Sequence, residues 1–333
     1  MSEWMLRAAV ADDLPMLTPL LPRWELEAAT FVDDDANDLL LLALPLGSPS
    51  APPLGCIRIR RAIGLTQPRY WFHVGYRVHA AADLGMFRRE RTLLLGNDHT
   101  GATELTDFAI DSNRLVGAQC ESLSRVLVAA ALMQLQRDWR QAPVAAEALP
   151  RVIAALPGAR DAAGEAPFWQ RLGRHFFPGD VDATMARYGS LWATHVAALL
   201  PRHPLVVSVL HADAQAAIGA VHPNSASLRA ALLDCGLRAG QHVDLHDGGP
   251  VFEAHRDAID CARPLRRRVL EARTGFKPTT RVLIAAPTQA ASWVVAGQVD
   301  DQAVAISAET AQQLRLEDGA PVWVSAMPEC DAG

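Results

Sequence analysis

At 333 residues, half of them apolar and a fifth charged, the chain is long enough to bury a full core and to divide into two domains. A formal charge of -6 leaves no general basic field, which argues against a nucleic-acid partner. The clusters Arg58, Arg60, Arg61 and Arg266, Arg267, Arg268 read as solvated faces, with the meeting of a phosphate as the alternative.

Acidic Glu3, Asp12 and Asp13 stand where a signal peptide would be basic and apolar, and the longest apolar runs, 39–46 and 126–133, are too short to cross a bilayer. Five scattered cysteines, Cys56, Cys120, Cys235, Cys261 and Cys330, lack zinc or disulfide spacing. A cytoplasmic protein with no membrane role is expected. No metal is expected either, since His175 and His203 have no ligand partners in their neighbourhood.

In chain order, the sequence predicts a strand over 5–10 and a helix opened by Asp12 and Asp13 that runs through Leu21, with Pro15 tolerated in its first turn. Strands follow at 39–46 and 54–63 around the turn-rich GSPSAPP, then at 70–79, 92–95 and 103–110. A loop over 111–117 leads into a helix over 118–139, on which Leu123, Val126, Leu127, Ala130 and Met133 recur at helical spacing. A short strand at 143–148 precedes a helical insertion of about 151–220.

The run AIGAVHPNSASLRAALLDCG, Ala217 to Gly236, places His222 directly before a short amphipathic helix with Asn224 and Ser225 as N-cap candidates. His222 therefore sits near the positive end of a helix dipole, which favours a neutral ring available for proton transfer. The alternative is a ring that merely hydrogen-bonds the local backbone.

Strands at 241–245 and 250–254 flank the turn HDGG, and the charged stretch from Arg263, with Pro278, reads as a linker over 263–280. The remainder, 281–333, alternates VLIAA, SWVVAGQV, QAVAIS, a helix capped by Ser307, and LEDGAPVWVS. It reads as a small β domain packed on the first domain, 1–262.

The N-terminal part resembles the GNAT acyltransferase superfamily: a strand into RAAVADDLPML, an antiparallel meander, the strand 103–110, a loop leading into a long helix, and HPNSASLRAALLDCGL as the closing helix. Over almost its whole length the chain is similar to the arginine N-succinyltransferase family. The motifs that carry the likeness are VGYRVHAAADLG, GNDHTGATEL, APFWQRLGRHFF, LLPRHPLVVSVL, AIGAVHPNS and VDLHDGGP, all in order.

The resemblance implies an α+β class, a GNAT-like fold with a helical insertion and a small C-terminal β-barrel-like domain. It also implies transfer of succinyl from succinyl-CoA, as co-substrate and with no permanently bound cofactor, to the α-amine of arginine or an ornithine-like amino acid. The alternative is a non-catalytic or altered-specificity subunit of a heteromeric succinyltransferase. A homo- or hetero-oligomer is expected.

Acyl transfer to an amine needs a pyrophosphate site, donors for the thioester oxygen and proton management. The resemblance assigns the proton donor to His222 and a succinyl-CoA contact to Phe108, where leucine is usual, with Ala109 and Ile110 beside it on the strand. RLVGAQ, Arg114 to Gln119, is close to a phosphate-loop pattern through Gly117, although Gln119 replaces a final small residue; Arg114, Gly117, Ala118 and Gln119 are the candidates there. Asn97, Asp98, Glu104, Asp244 and Asp247 lie in the matched motifs and are candidates for substrate binding, the four carboxylates among them for a guanidinium. Turn-shaping is the competing role for Asn97, Asp98 and Asp247. LLPRWELEAATF, Leu20 to Phe31, stands where the family carries an acceptor-pocket run of different sequence.

Overall fold

The computed structural model describes residues 4–21, 38–141, 149–278, 280–287 and 291–327. Their strands, in chain order, are β1 (Trp4–Ala8), β2 (Asp38–Pro45), β3 (Gly55–Arg60), β4 (Trp71–Ala81), β5 (Met86–Gly96), β6 (Thr103–Ile110), β7 (Arg151–Ala155) and β8 (Leu205–Val206). They continue with β9 (Arg238–Asp244), β10 (Pro250–His255), β11 (Arg266–Arg273), β12 (Arg281–Ala285), β13 (Ser292–Ala296), β14 (Gln298–Val299), β15 (Ala303–Ser307) and β16 (Pro321–Ala326). All sixteen join one mixed sheet in the order β14-β15-β11-β16-β12-β13-β1-β2-β3-β6-β7-β10-β9-β4-β5-β8.

Two pairings are parallel, β6 with β7 and β11 with β15. β2, buried on both faces, reads as a near-continuous apolar run, whereas the β4–β5 hairpin is exposed beyond its base.

The long helix, Ala118–Gln141, is α2, after the single turn α1 at Leu14–Leu17. It is buried almost all round, because one side lies on the sheet and the other meets the helix at Ala226–Asp234. Leu123, Val126, Leu127, Ala130 and Met133 contribute to the central core with Leu6, Ile57, Leu105, Val152 and Phe252. A second core forms under the short helices α3 (Pro167–Arg171), α4 (Val181–Tyr188), α5 (Trp192–Ala197) and α6 (Ala212–Ala217), where Phe168 and Trp169 meet Phe72 and Val243. The helix at Ala226–Asp234 is α7, followed by α8 (Arg256–Ala262) and α9 (Ala308–Leu314).

Several expectations are corrected. The helical insertion does not begin at 151: Arg151–Ala155 is β7, set between β6 and β10 in the middle of the sheet. A five-residue apolar run such as RVIAA has no periodicity to separate strand from helix, and its burial between two strands decides. The stretch read as a linker contains β11, which pairs with both β15 and β16. The C-terminal strands do not close into a barrel: β13 gives its second edge to β1, so they extend the main sheet. A closed set would leave β1 unpaired on that side, an open edge that the fold avoids.

The first helix ends after one turn at Leu17, and the strand near 92–95 is longer, Met86–Gly96. The strand expected at 143–148 and most of the run 20–31 lie outside the described residues.

Side chains lock the C-terminal strands to the first part of the molecule. Arg137 on α2 donates to the Ala286 carbonyl at 3.1 Å, Arg281 donates to Ser122 Oγ at 2.7 Å, and Arg263 donates to Ser325 Oγ at 3.2 Å. Among the described residues, no helix is long and apolar enough to cross a membrane.

Candidate active site

The site begins with two parallel strands that part. β6 and β7 pair only at Thr103 with Val152 and Glu104 with Ile153; beyond Glu104 the ladder stops, although β6 continues to Ile110 and stays paired with β3 on its other edge. The register of β6 with β3 shifts between Cys56 and Arg58, so that Asp107 and Phe108 together oppose Ile57. This is a β-bulge, and its first residue, Asp107, takes a left-handed φ of 47°.

Such a conformation is unusual for a side-chain-bearing residue and needs support from its surroundings. Fully buried Arg58 supplies it, with Nε 2.7 Å from Asp107 Oδ2 and Nη1 2.9 Å from Asp38 Oδ2. The bend leaves the β7-facing edge of Leu105 to Ile110 without ladder partners in β7. Backbone amides along that edge are suited to a carbonyl oxygen that gains negative charge.

β7 leads to Leu156, whose amide returns to the Pro250 carbonyl, and to Pro157. Pro157 lies two residues beyond the end of β7. The amide of His222 donates to the Pro157 carbonyl at 2.8 Å, which ties the histidine to the chain just past β7. Val221, Phe108 and Ile110 pack against the same central core, while Ala109 faces the opposite side with Leu17, Leu40 and Leu42. The Phe108 side chain is therefore core-facing, and its strand neighbours present backbone to the opening.

Ser225, one of the two N-cap candidates, is the N-cap residue of α7, without a side-chain hydrogen bond, and the 3-10 turn before it is capped by His222. His222 has extended backbone, and its Nδ1 accepts from the Asn224 amide at 3.2 Å ahead of a single 3-10 turn, Pro223–Ser225, that runs into α7. The ring is half-buried. With Nδ1 accepting, the neutral ring carries its proton on Nε2, so the local hydrogen bond and a donor role are compatible.

The loop after β6 is held by Asp111, whose carboxylate accepts from the Asn113 amide at 3.0 Å and whose carbonyl accepts from the Leu115 amide at 3.0 Å. Gly117 has φ +52°, its surroundings are open, and it stands directly before α2 with exposed Ala118. Approach of an anion to these amides is unobstructed. Gln119 spends its amide on the Val116 carbonyl, and Arg114 donates to the Pro52 and Pro53 carbonyls at 2.9 and 3.2 Å, holding the loop in place.

A cleft of about 720 Å³ lies on the other side of β6. Arg60, Arg69, Arg160, Asp107, Asp182 and Asp244 line it, so it offers both signs of charge to a ligand. Thr106 and Asp107 reach it from β6, whereas neither His222 nor Phe108 does. A larger hollow of about 1100 Å³ over the helical segment contains none of the candidate residues.

The acidic candidates separate. Asp244 lines the cleft and also accepts from the amides of His246 and Asp247 at 2.7 and 3.1 Å, shaping the turn. Glu104 is buried behind the cleft and accepts from Arg69 Nη2 at 2.8 Å. Asp247 accepts from the Gly249 amide at 2.9 Å and lies 3.6 Å from Arg160 Nη2; burial, reinforced by Asp244, pushes its carboxyl up to about 6.

Asn97 and Asp98 stand apart from this cleft. The Asn97 carbonyl accepts from the Thr100 amide and hydroxyl, and Asp98 pairs with His242 at 3.0 Å. Sequence reasoning missed Arg69, Arg160, Asp107 and Asp182 as cleft residues.

The fold is shared with a solved structure described as arginine/ornithine succinyltransferase subunit AI from Pseudomonas aeruginosa: the TM-score is 0.72 at 22% identity, covering 99% of this chain and 100% of the other. In sequence, residues 33–261 match the family described as arginine N-succinyltransferase beta subunit, and the chain belongs to that family. An arginine N-succinyltransferase of Yersinia pseudotuberculosis serotype IB (strain PB1/+) is 36% identical over 222 residues, which cover 65% of this chain and 59% of the relative. A Salmonella arizonae protein of the same name is 35% identical over 214 residues, covering 64% and 59%. The chain thus spans less than two thirds of the length of these relatives.

Proposed function

We propose that the chain is an arginine N-succinyltransferase, an acyltransferase that moves succinyl from succinyl-CoA to the α-amine of L-arginine in arginine catabolism. The observation that carries this reading is a histidine held by Pro157, two residues beyond the end of β7, in a chain of this family. The finer reading of the fold is GNAT-like: the amides of Phe108, Ala109 and Ile110 receive the acyl end, and those of Gly117 and Ala118 at the head of α2 receive the pyrophosphate. Arg114 and Gln119 hold the loop that presents them.

In the reaction the amine nitrogen attacks the thioester carbon and the carbon–sulfur bond breaks. The proton that the amine nitrogen loses as the amide forms ends on the departing sulfur, while His222 donates a hydrogen bond from Nε2 to that sulfur as it takes up charge, so that free CoA thiol and an amide result. Asp244, with Asp107 and Asp182, answers the guanidinium; Arg69 and Arg160 answer carboxylates. Glu104 and Asp247 orient those two arginines, and Asn97 and Asp98 act outside the cleft. No resident cofactor takes part. The free thiols Cys56, Cys120, Cys235 and Cys261 suit a reducing cytoplasm. An oligomer belongs to this reading, supported by the exposed tip of the β4–β5 hairpin with Leu84 and Phe87, and sedimentation velocity tests it.

CoA release from succinyl-CoA with a panel of amino acids is the direct assay. His222→Ala is expected to lower turnover by roughly 100-fold to 10,000-fold with an unchanged circular dichroism spectrum. Unchanged turnover removes His222 from the chemistry. No release with any amine, together with no CoA binding by calorimetry, removes the enzyme reading and leaves a non-catalytic subunit.

A further inference from the structure

Away from the acyl-transfer opening, three distant segments converge on a buried cluster. His99 comes from the turn between β5 and β6, His242 from β9 and Glu253 from β10, and one ligand atom of each lies within 4.8 Å of the others. His99 is fully buried, and neither of its ring nitrogens has a hydrogen-bond partner. Nδ1 of His242 and Oε2 of Glu253 are likewise buried without one, although Arg151 Nη1 stands 3.2 Å from that oxygen.

An unmade buried hydrogen bond costs on the order of 1–3 kcal/mol, and folded proteins keep few. Three unpartnered ring nitrogens beside a carboxylate point to a missing ligand. An anion is excluded by the Glu253 carboxylate, and the imidazoles are set to act as lone-pair donors. Asp98 Oδ2 is 3.0 Å from His242 Nε2, which fixes the proton there and leaves the lone pair on Nδ1.

Packing preserves the arrangement. The two imidazoles meet edge to face at 4.2 Å, and Trp71 packs against His99 at 5.0 Å. Gly240 leaves room for the carboxylate, because a Cβ there would come within 2.7 Å of Glu253 Oε1.

We propose that His99, His242 and Glu253 bind one divalent transition-metal ion of the zinc class, which ties the turn before β6 to β9 and β10. Two imidazoles and a carboxylate are a common three-residue donor set for such an ion, with water completing it. The site lies beside the start of β6, where Thr103 and Glu104 still pair with β7, so the ion braces the strands just before they part. This assignment does not rest on the proposed reaction. No sequence motif announced it, since the ligands are too far apart along the chain for metal-site spacing.

The test is a Zn2+ titration of chelator-dialysed full-length protein against a chromogenic competitor. One ion per chain is expected, with Glu253→Gln and His242→Gln each weakening affinity at least 100-fold. Asp98→Asn, an exposed substitution that leaves the core alone, weakens it roughly 10-fold to 100-fold through His242. With Zn2+ about 100-fold above Kd, the folded-to-unfolded ratio measured by urea unfolding rises about 100-fold. No bound ion, or a stoichiometry and affinity unmoved by both ligand substitutions, overturns the proposal.

Discussion

Asp247 couples the stability of the HDGG turn to pH, and the size of the effect follows from its surroundings. Its carboxyl is buried beside Asp244 and pushed up to about 6; burial acts most, the repulsion of Asp244 next, against the amides of Gly158 and Gly249 and the more distant Arg160. In the unfolded chain the same group titrates near about 3.9. Between those values the folded state binds more protons, so this contribution is fully present below about pH 4 and is lost as pH rises through about 6. A gap of roughly two units corresponds to about 3 kcal/mol. Asp247→Asn keeps an acceptor for the Gly249 amide and removes the charge. Urea unfolding of both proteins at pH 4, 5, 6 and 7 is the assay, and the stability of the variant relative to the parent should climb by about 2 kcal/mol across the series, since the unfolded carboxyl is already half ionised at the lowest pH. A difference that stays flat with pH refutes the argument, whatever its absolute size.

Three further outcomes follow from local geometry. Gly249→Ala places a Cβ 2.0 Å from the Leu156 carbonyl oxygen and 2.7 Å from the Gly158 amide, so denaturant unfolding should show a loss of at least about 1–3 kcal/mol. Burial pushes the thiols of Cys56 and Cys235 up to about 12 and 11, while Cys261 is exposed. A thiol reagent at pH 8 should therefore label Cys261 in the native protein and reach the other two only on unfolding, as mapped by mass spectrometry. Phe108→Leu should cost about 1 kcal/mol of stability through lost core packing and leave the KM for succinyl-CoA unchanged, since the side chain faces the core; a raised KM at unchanged stability speaks for a side-chain contact.

What the sequence disclosed was local. The periodicity of α2, the alternation around β9 and β10, and the placement of His222 before α7 depend on neighbours within a few residues, and the structure contains all of them. β7 was misread because RVIAA becomes a strand only through β6 and β10, which lie some fifty residues before it and a hundred after it in the chain. β11 was misread for the complementary reason: its first residues are arginines, and a charged run reads as a linker until β15 and β16 supply its hydrogen bonds.

The same division runs through the site. The position of His222 before a helix was legible in the residues that follow it, but its capping of the 3-10 turn was not, and the carbonyl that holds it belongs to Pro157, which the chain reaches only by way of β7. The opening itself is less legible still. It exists because Asp107 occupies a left-handed bulge, and Asp107 is kept there by Arg58, a residue that the sequence presents as one of three surface arginines. Arg58 is instead the largest fully buried side chain of the sheet, paired with Asp38 and Asp107. A buried cation gains little net stability from its partners, so its value lies in specifying geometry. Here that geometry is the angle at which β6 leaves β7, and the acyl-transfer reading depends on that angle more than on the conformation of any single side chain in the cleft.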